Sequence, residues 1–149
     1  MAYNVCAALE YFHATAFKGC ICELLIIPET ATSLTVQTIT YAKNPRLKEL
    51  TEEYPGRVIF VPLTVGDEAS MRNAVPVVES ALKDKGLNGL DVLINTAGIM
   101  GAAHAEEMSD LDDVFHVNDT GPHMMILIFL PLLRNGNEKK VINCRFIYV

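Results

Sequence analysis

The run G-L-D-V-L-I-N-T-A-G-I-M at residues 89–100 constrains the fold more than any other stretch of this chain. Val92, Leu93 and Ile94 make an apolar block too short for a helix and bounded by turn formers. That is the pattern of a strand buried on both faces of a parallel sheet. The block gives way to Asn95, Thr96, Ala97 and Gly98, small residues that let a backbone approach a ligand closely. In open α/β sheets, ligands bind at such carboxyl ends. Taken alone, the run also reads as an ordinary buried strand with a glycine-containing turn.

The flanking segments support the first reading. Residues 34–41 are β-branched and aromatic, the composition of a strand, and 57–63 read as another. Pro45 starts a charged helix that reaches about residue 54. Asp67 and Glu68 are well placed to open a further helix, in which Met71, Val75, Val78 and Leu82 recur at core spacing. Pro76 is expected near its start. Ser109 is expected to cap a helix over 109–133, with an acidic first turn and a kink at Gly121 and Pro122. Residues 140–147 read as a last strand.

At 149 residues the chain supports a single domain with a real core. A net charge of -6 without a basic stripe argues against a nucleic-acid partner. The four cysteines, Cys6, Cys20, Cys22 and Cys144, show no disulfide framework, which suits a reduced, cytoplasmic setting. No basic leader precedes the apolar start, and the run 124–133 contains Pro131 and is too short to span a bilayer. A soluble protein is expected, with no membrane partner. His116 and His123 have no acid or cysteine completing a set, so no metal site is expected.

Residues 90–98 resemble the fourth strand of the short-chain dehydrogenase/reductase family, L-D-V-L-I-N-N-A-G, with Thr96 in place of the second asparagine. The resemblance extends to A-K-N-P at 42–45, D-E-A-S at 67–70, V-F-H-V-N-D-T-G-P at 114–122, F-L-P-L-L at 129–133 and V-I-N at 141–143. The carbonyl-reductase-like or C-factor-like reductases are the nearest branch. It implies an α/β fold: a Rossmann-like three-layer sandwich whose parallel strands run in the order 3-2-1-4-5. The first strand falls within residues 2–16, and residues 1–149 form one partial dinucleotide-binding domain, truncated after the fifth strand.

The resemblance also implies a nicotinamide cofactor and a set of site residues. Lys43 stands where a cation accommodates the adenosine 2′-phosphate of NADP, although it equally reads as a solvated turn lysine. Thr64 replaces an aspartate that reaches the adenine. Asn95, Ala97 and Gly98 line the exit of the fourth strand. Asn118 matches the active-site asparagine whose main-chain carbonyl holds a water of the proton relay; its alternative is a polar residue satisfied within the helix kink. In the phosphate loop, sliding T-G-x-x-x-G-x-G onto 14–21 leaves Gly19 as the one surviving glycine. Thr15 and Ile21 are β-branched where a tight turn and a close helix–strand approach are needed. NADP binding is therefore expected to be weak or lost.

The family's catalytic serine falls on Phe146, with Arg145 before it, and no Tyr-x-x-x-Lys occurs in these residues. Tyr148 lacks a lysine four residues on. The expected function is a relative of an NADP-dependent reductase of carbonyl compounds, inactive as this chain. The alternatives are a non-catalytic binding or regulatory module, or an unselected truncated product. Met124, Met125, Ile126, Leu127, Ile128 and Phe129 surround the 109–133 helix on every side. No rotation buries them all, so self-association or a protein partner is expected there.

Overall fold

The computed structural model describes residues 33–37, 52, 58–99 and 109–143. Strands β1 (Ser33–Gln37) and β2 (Val58–Pro62) pair in parallel, with Ser33 opposite Val58 and Gln37 opposite Pro62. Strands β3 (Val92–Asn95) and β4 (Lys140–Asn143) form a second parallel pair, with Val92 opposite Lys140 and Asn95 opposite Asn143. β2, β3 and β4 lie within segments expected to be strands, and β1 starts one residue before the expected 34–41 and covers its first half. They are the 2–3 and 4–5 neighbours of the expected order. The segment expected to join them, residues 2–16, lies outside the described residues, as do the phosphate loop and the 45–54 helix apart from Glu52.

Helix α1 (Glu68–Asp84) connects β2 to β3. Asp67 caps it by accepting from the Ser70 N–H at 3.1 Å, and the Ser70 hydroxyl accepts from the Thr64 N–H at 2.9 Å. The cap is thus tied back to the strand exit. The helix ends in a Schellman motif: Gly86, at φ +71°, donates to the Lys83 carbonyl and Leu87 to that of Leu82. Met71, Ala74, Val78 and Leu82 face the core. Ala74 thus takes an inner place, while Val75, expected there, is half-buried. Pro76 is not near the start but in the ninth position. It is tolerated because it lies on the exposed side, where water reaches the backbone carbonyl it leaves unpaired.

The expected 109–133 helix is built in three pieces: α2 (Leu111–Phe115), a π-helical turn (His116–Thr120) and α3 (Gly121–Asn135). Asp110, not Ser109, occupies the N-cap position, and its side chain makes no capping bond. The register change has local causes. Gly121 N–H donates to the carbonyl of His116, five residues back, and Pro122 has no N–H to offer Asn118 four residues back. Gly121 also lies against β2's exit, where a Cβ would come within 2.4 Å of Val65 Cγ1.

The apolar run in α3 divides between core and surface. Met125, Phe129, Leu132 and Leu133 are buried, Met124, Ile126 and Ile128 are half-buried, and Leu127 is 55% exposed. With Val61, Leu63, Met71, Val78 and Leu93 the buried set forms one core. Helices α1 and α3 touch each other, α1 packs on β2, and α3 packs on β3 and β4, so both lie on one face of the strands. Right-handed crossovers through helices on one face step across a sheet in one direction. At the other end of α3, Leu90 N–H donates to the Leu132 carbonyl at 2.9 Å, and a Cβ on Gly136 would overlap the Leu90 carbonyl. Among the described residues no helix is long and apolar enough to cross a membrane.

Candidate functional site

Two strand exits, those of β2 and β3, border the candidate site. The π-helical turn reaches both. Beyond β2, Leu63 and Val65 are buried and Thr64 is half-buried between them. The Thr64 carbonyl accepts from Asp67 N–H at 3.2 Å, which closes a tight turn through Gly66, at φ +91°. Beyond β3, Ala97 is buried and Gly98 half-buried.

Asn118 reaches from the π-turn to the β3 exit. Its Oδ1 accepts from Ile99 N–H at 2.8 Å, and its Nδ2 donates to the Ile99 carbonyl at 2.9 Å. A Cβ on Gly98 would stand 3.4 Å from Asn118 Oδ1, so the glycine makes room for this contact. The side chain is thus used to hold the loop.

Asn95 is 2% exposed at the end of β3, and its Nδ2 donates to Asn143 Oδ1 at the matching position of β4, at 2.7 Å. Asn95 Oδ1 and Thr96 Oγ1 are buried, with no hydrogen-bond partner among the described residues. Buried polar atoms of this kind call for a partner. Each leaves hydrogen-bonding capacity unused at a strand exit with little side-chain bulk.

Of the expected site residues, Asn118, Gly98, Ala97 and Asn95 therefore gather around the β3 exit, and Thr64 stands at the β2 exit. Gly19 and Lys43 lie outside the described residues. His116 entered the sequence analysis only as a rejected metal ligand, and Gly66 was not singled out. The His116 Nε2 lies 2.8 Å from the Gly66 carbonyl oxygen, a contact between residues fifty apart for which local pattern carries no signal. Asn143 was likewise invisible as a partner of Asn95 until β3 and β4 were set in register. Among the described residues no group of three or more His, Cys, Asp or Glu side chains is placed to hold a metal.

A family model of short chain dehydrogenases matches residues 25–145. The chain is 30% identical over 92 residues to short chain dehydrogenase andI of Emericella variicolor, covering 60% of this chain and 30% of that relative. It is 27% identical over 124 residues to short chain dehydrogenase gsfK of Penicillium aethiopicum, covering 81% and 47%. Among solved structures, NADPH-bound carbonyl reductase from chicken fatty liver superposes with a TM-score of 0.61 at 30% identity, covering 68% of this chain and 38% of that one. Carbonyl reductase Sniffer of D. melanogaster has the same fold at 23% identity, with a TM-score of 0.62 over 78% and 50%. The chain spans less than half the length of the curated relatives it matches.

Proposed function

The chain belongs to the short-chain dehydrogenase/reductase family, and on that premise we propose that residues 1–149 form the dinucleotide-binding part of an NADP-dependent reductase of carbonyl compounds. The observation that carries this reading is that the turn bearing His116 and Asn118 bonds to both the β2 exit, at Gly66, and the β3 exit, at Ile99. Asn95, Thr96, Ala97 and Gly98 would line the dinucleotide, and the unpaired Asn95 Oδ1 and Thr96 Oγ1 fit such a polar group. Thr64 would face the adenine, Lys43 the 2′-phosphate and Gly19 the pyrophosphate. The nicotinamide, when bound, supplies a hydride. Asn118 keeps its side chain on Ile99 and offers its carbonyl to a water of the proton path.

Affinity is reduced by the departures from the family pattern. β-branched Thr15 and Ile21 fall where the family pattern has glycines of the phosphate loop, and Thr64 brings no charge to the adenine. Turnover needs a serine to polarise the substrate oxygen and a tyrosine–lysine pair to protonate it. Phe146 stands at the serine position, and Tyr-x-x-x-Lys is not among these 149 residues. General acid–base help is worth about 10²–10⁴-fold, so these residues bind without reducing. The same departures favour, as a second reading, a binding module without catalysis. Self-association through the 109–133 helix is consistent with the exposed Leu127, Leu111 and Phe115.

The deciding experiment is a fluorescence titration of the 149-residue protein with NADPH and with NADH, followed by an assay against aldehydes, ketones and quinones. Saturable but weak NADPH binding without NADPH consumption is expected. No binding at millimolar cofactor, or measurable turnover, would overturn the reading.

A further inference from the structure

We propose that His116 is a positioning residue: its ring locks the β2-exit loop to the π-helical turn and so sets where Asn118 stands. The geometry is independent of any ligand. What it would mean for a cofactor rests on the function proposed above.

A carbonyl oxygen only accepts, so the ring nitrogen 2.8 Å from the Gly66 oxygen, Nε2, carries the proton; in the neutral ring Nδ1 is the bare nitrogen. Gly66 is fitted to this contact in two ways. Its φ of +91° is one that glycine adopts freely, and a Cβ there would lie 2.9 Å from His116 Cδ2 and 3.0 Å from Nε2. The imidazole occupies the space that a side chain at position 66 would need. Each residue therefore specifies the other.

The backbone of His116 is engaged at the same join. Its carbonyl accepts from Gly121 N–H, the bond that makes this turn a π-turn, and Gly121 rests on Val65 of the same loop. One residue thus grips the loop with its ring and fixes the turn with its carbonyl. Residues two apart on a helical turn project to roughly opposite sides. With His116 directed at the β2 exit, Asn118 is directed at the β3 exit, where it bonds both backbone groups of Ile99. The loop bearing Thr64 and the turn bearing Asn118 consequently move as one body. Under the proposed function, the adenine side and the proton-path side of the site are held in register by His116, which touches neither.

The test uses the full chain, ¹⁵N-labelled, as wild type, His116→Ala and His116→Gln. The glutamine amide nitrogen can take the place of Nε2 and keeps the donor. In the wild type, the His116 ring signals should show a protonated Nε2 and a bare Nδ1. In His116→Ala, amide exchange at Ile99 and Asp67 should rise by roughly three- to tenfold, while Val78 and Leu82, in the interior of α1, keep their rates. His116→Gln should return Ile99 and Asp67 close to wild type. Should the alanine variant fail to fold, the ring tautomer and the glutamine variant still decide. A protonated Nδ1 with bare Nε2, unchanged Ile99 exchange in His116→Ala, or fast exchange at Ile99 and Asp67 in His116→Gln would each overturn the assignment. NADPH titration of the wild type reads the functional proposal separately. No binding alongside the expected exchange pattern defeats that proposal and leaves His116 in its role.

Discussion

Asn118 and Ile99 are joined by a reciprocal pair of hydrogen bonds, the side-chain amide reading the backbone of the β3 exit as a neighbouring strand would. The pair ties a helical turn to a loop nineteen residues earlier. Asn118→Ala should destabilise the chain by about 1–2 kcal/mol, the net worth of two exposed hydrogen bonds. Asn118→Asp should be no better, because it sets a second acceptor against the Ile99 carbonyl. Urea unfolding of the two variants checks this, and an alanine variant as stable as wild type would count against the contact.

Gly121 meets Val65 with no room for a methyl group. Gly121→Ala should cost about 1–3 kcal/mol through overpacking. Val65→Ala in the same chain should recover part of that loss, although Val65→Ala alone opens a cavity. A double-mutant cycle by thermal unfolding measures the coupling. Strict additivity would show that the two do not touch.

The Asp91 carboxylate, 3% exposed, accepts from the backbone N–H groups of Asn137 and Glu138 at the turn before β4. The same residue's carbonyl accepts from Lys140 N–H at 2.9 Å. Asp91→Asn exchanges charge-assisted bonds for weaker ones, and Asp91→Ala leaves both donors unmet. Losses of about 1.5–3 kcal/mol are expected for alanine and less for asparagine. Amide exchange at Asn137 reports the same change locally.

Cofactor binding should respond to four positions. Thr15→Gly with Ile21→Gly should tighten NADPH binding by relieving the phosphate loop, and Thr64→Asp should restore an adenine contact. Lys43→Glu should move residual preference toward NADH, because an acid at this place repels the 2′-phosphate. Tight NADPH binding by the unaltered chain would show that the loop alignment is wrong.

Self-association should be read at Leu127, not at Phe129. Phe129 was expected on an open helix face, but it is fully buried, so an acid there tests folding. Leu127→Asp changes an exposed side chain. In analytical ultracentrifugation at micromolar concentration the wild type should form species larger than a monomer, and Leu127→Asp should reduce them. A single monomeric species for both would remove the idea.

The sequence by itself determined what short-range physics determines. The apolar block at 92–94 and its polar exit specify a buried parallel strand. The Asp67–Ser70 cap and the spacing of Met71, Val78 and Leu82 specify α1, and Gly121–Pro122 specifies a break in the long helix. Tertiary structure decided what depends on residues distant in sequence. A helix apolar all round has no preferred face, so only packing against α1 and the strands could bury Phe129 and expose Leu127. Gly121 meets Val65 only because the helix packs against the β2 exit, and Asn95 acquires Asn143 only through the register of β3 with β4. His116 was weighed only as a metal ligand, because its partner is a carbonyl oxygen. Every residue carries that group, so it leaves no mark in the sequence until the chain brings the β2 exit beneath the ring.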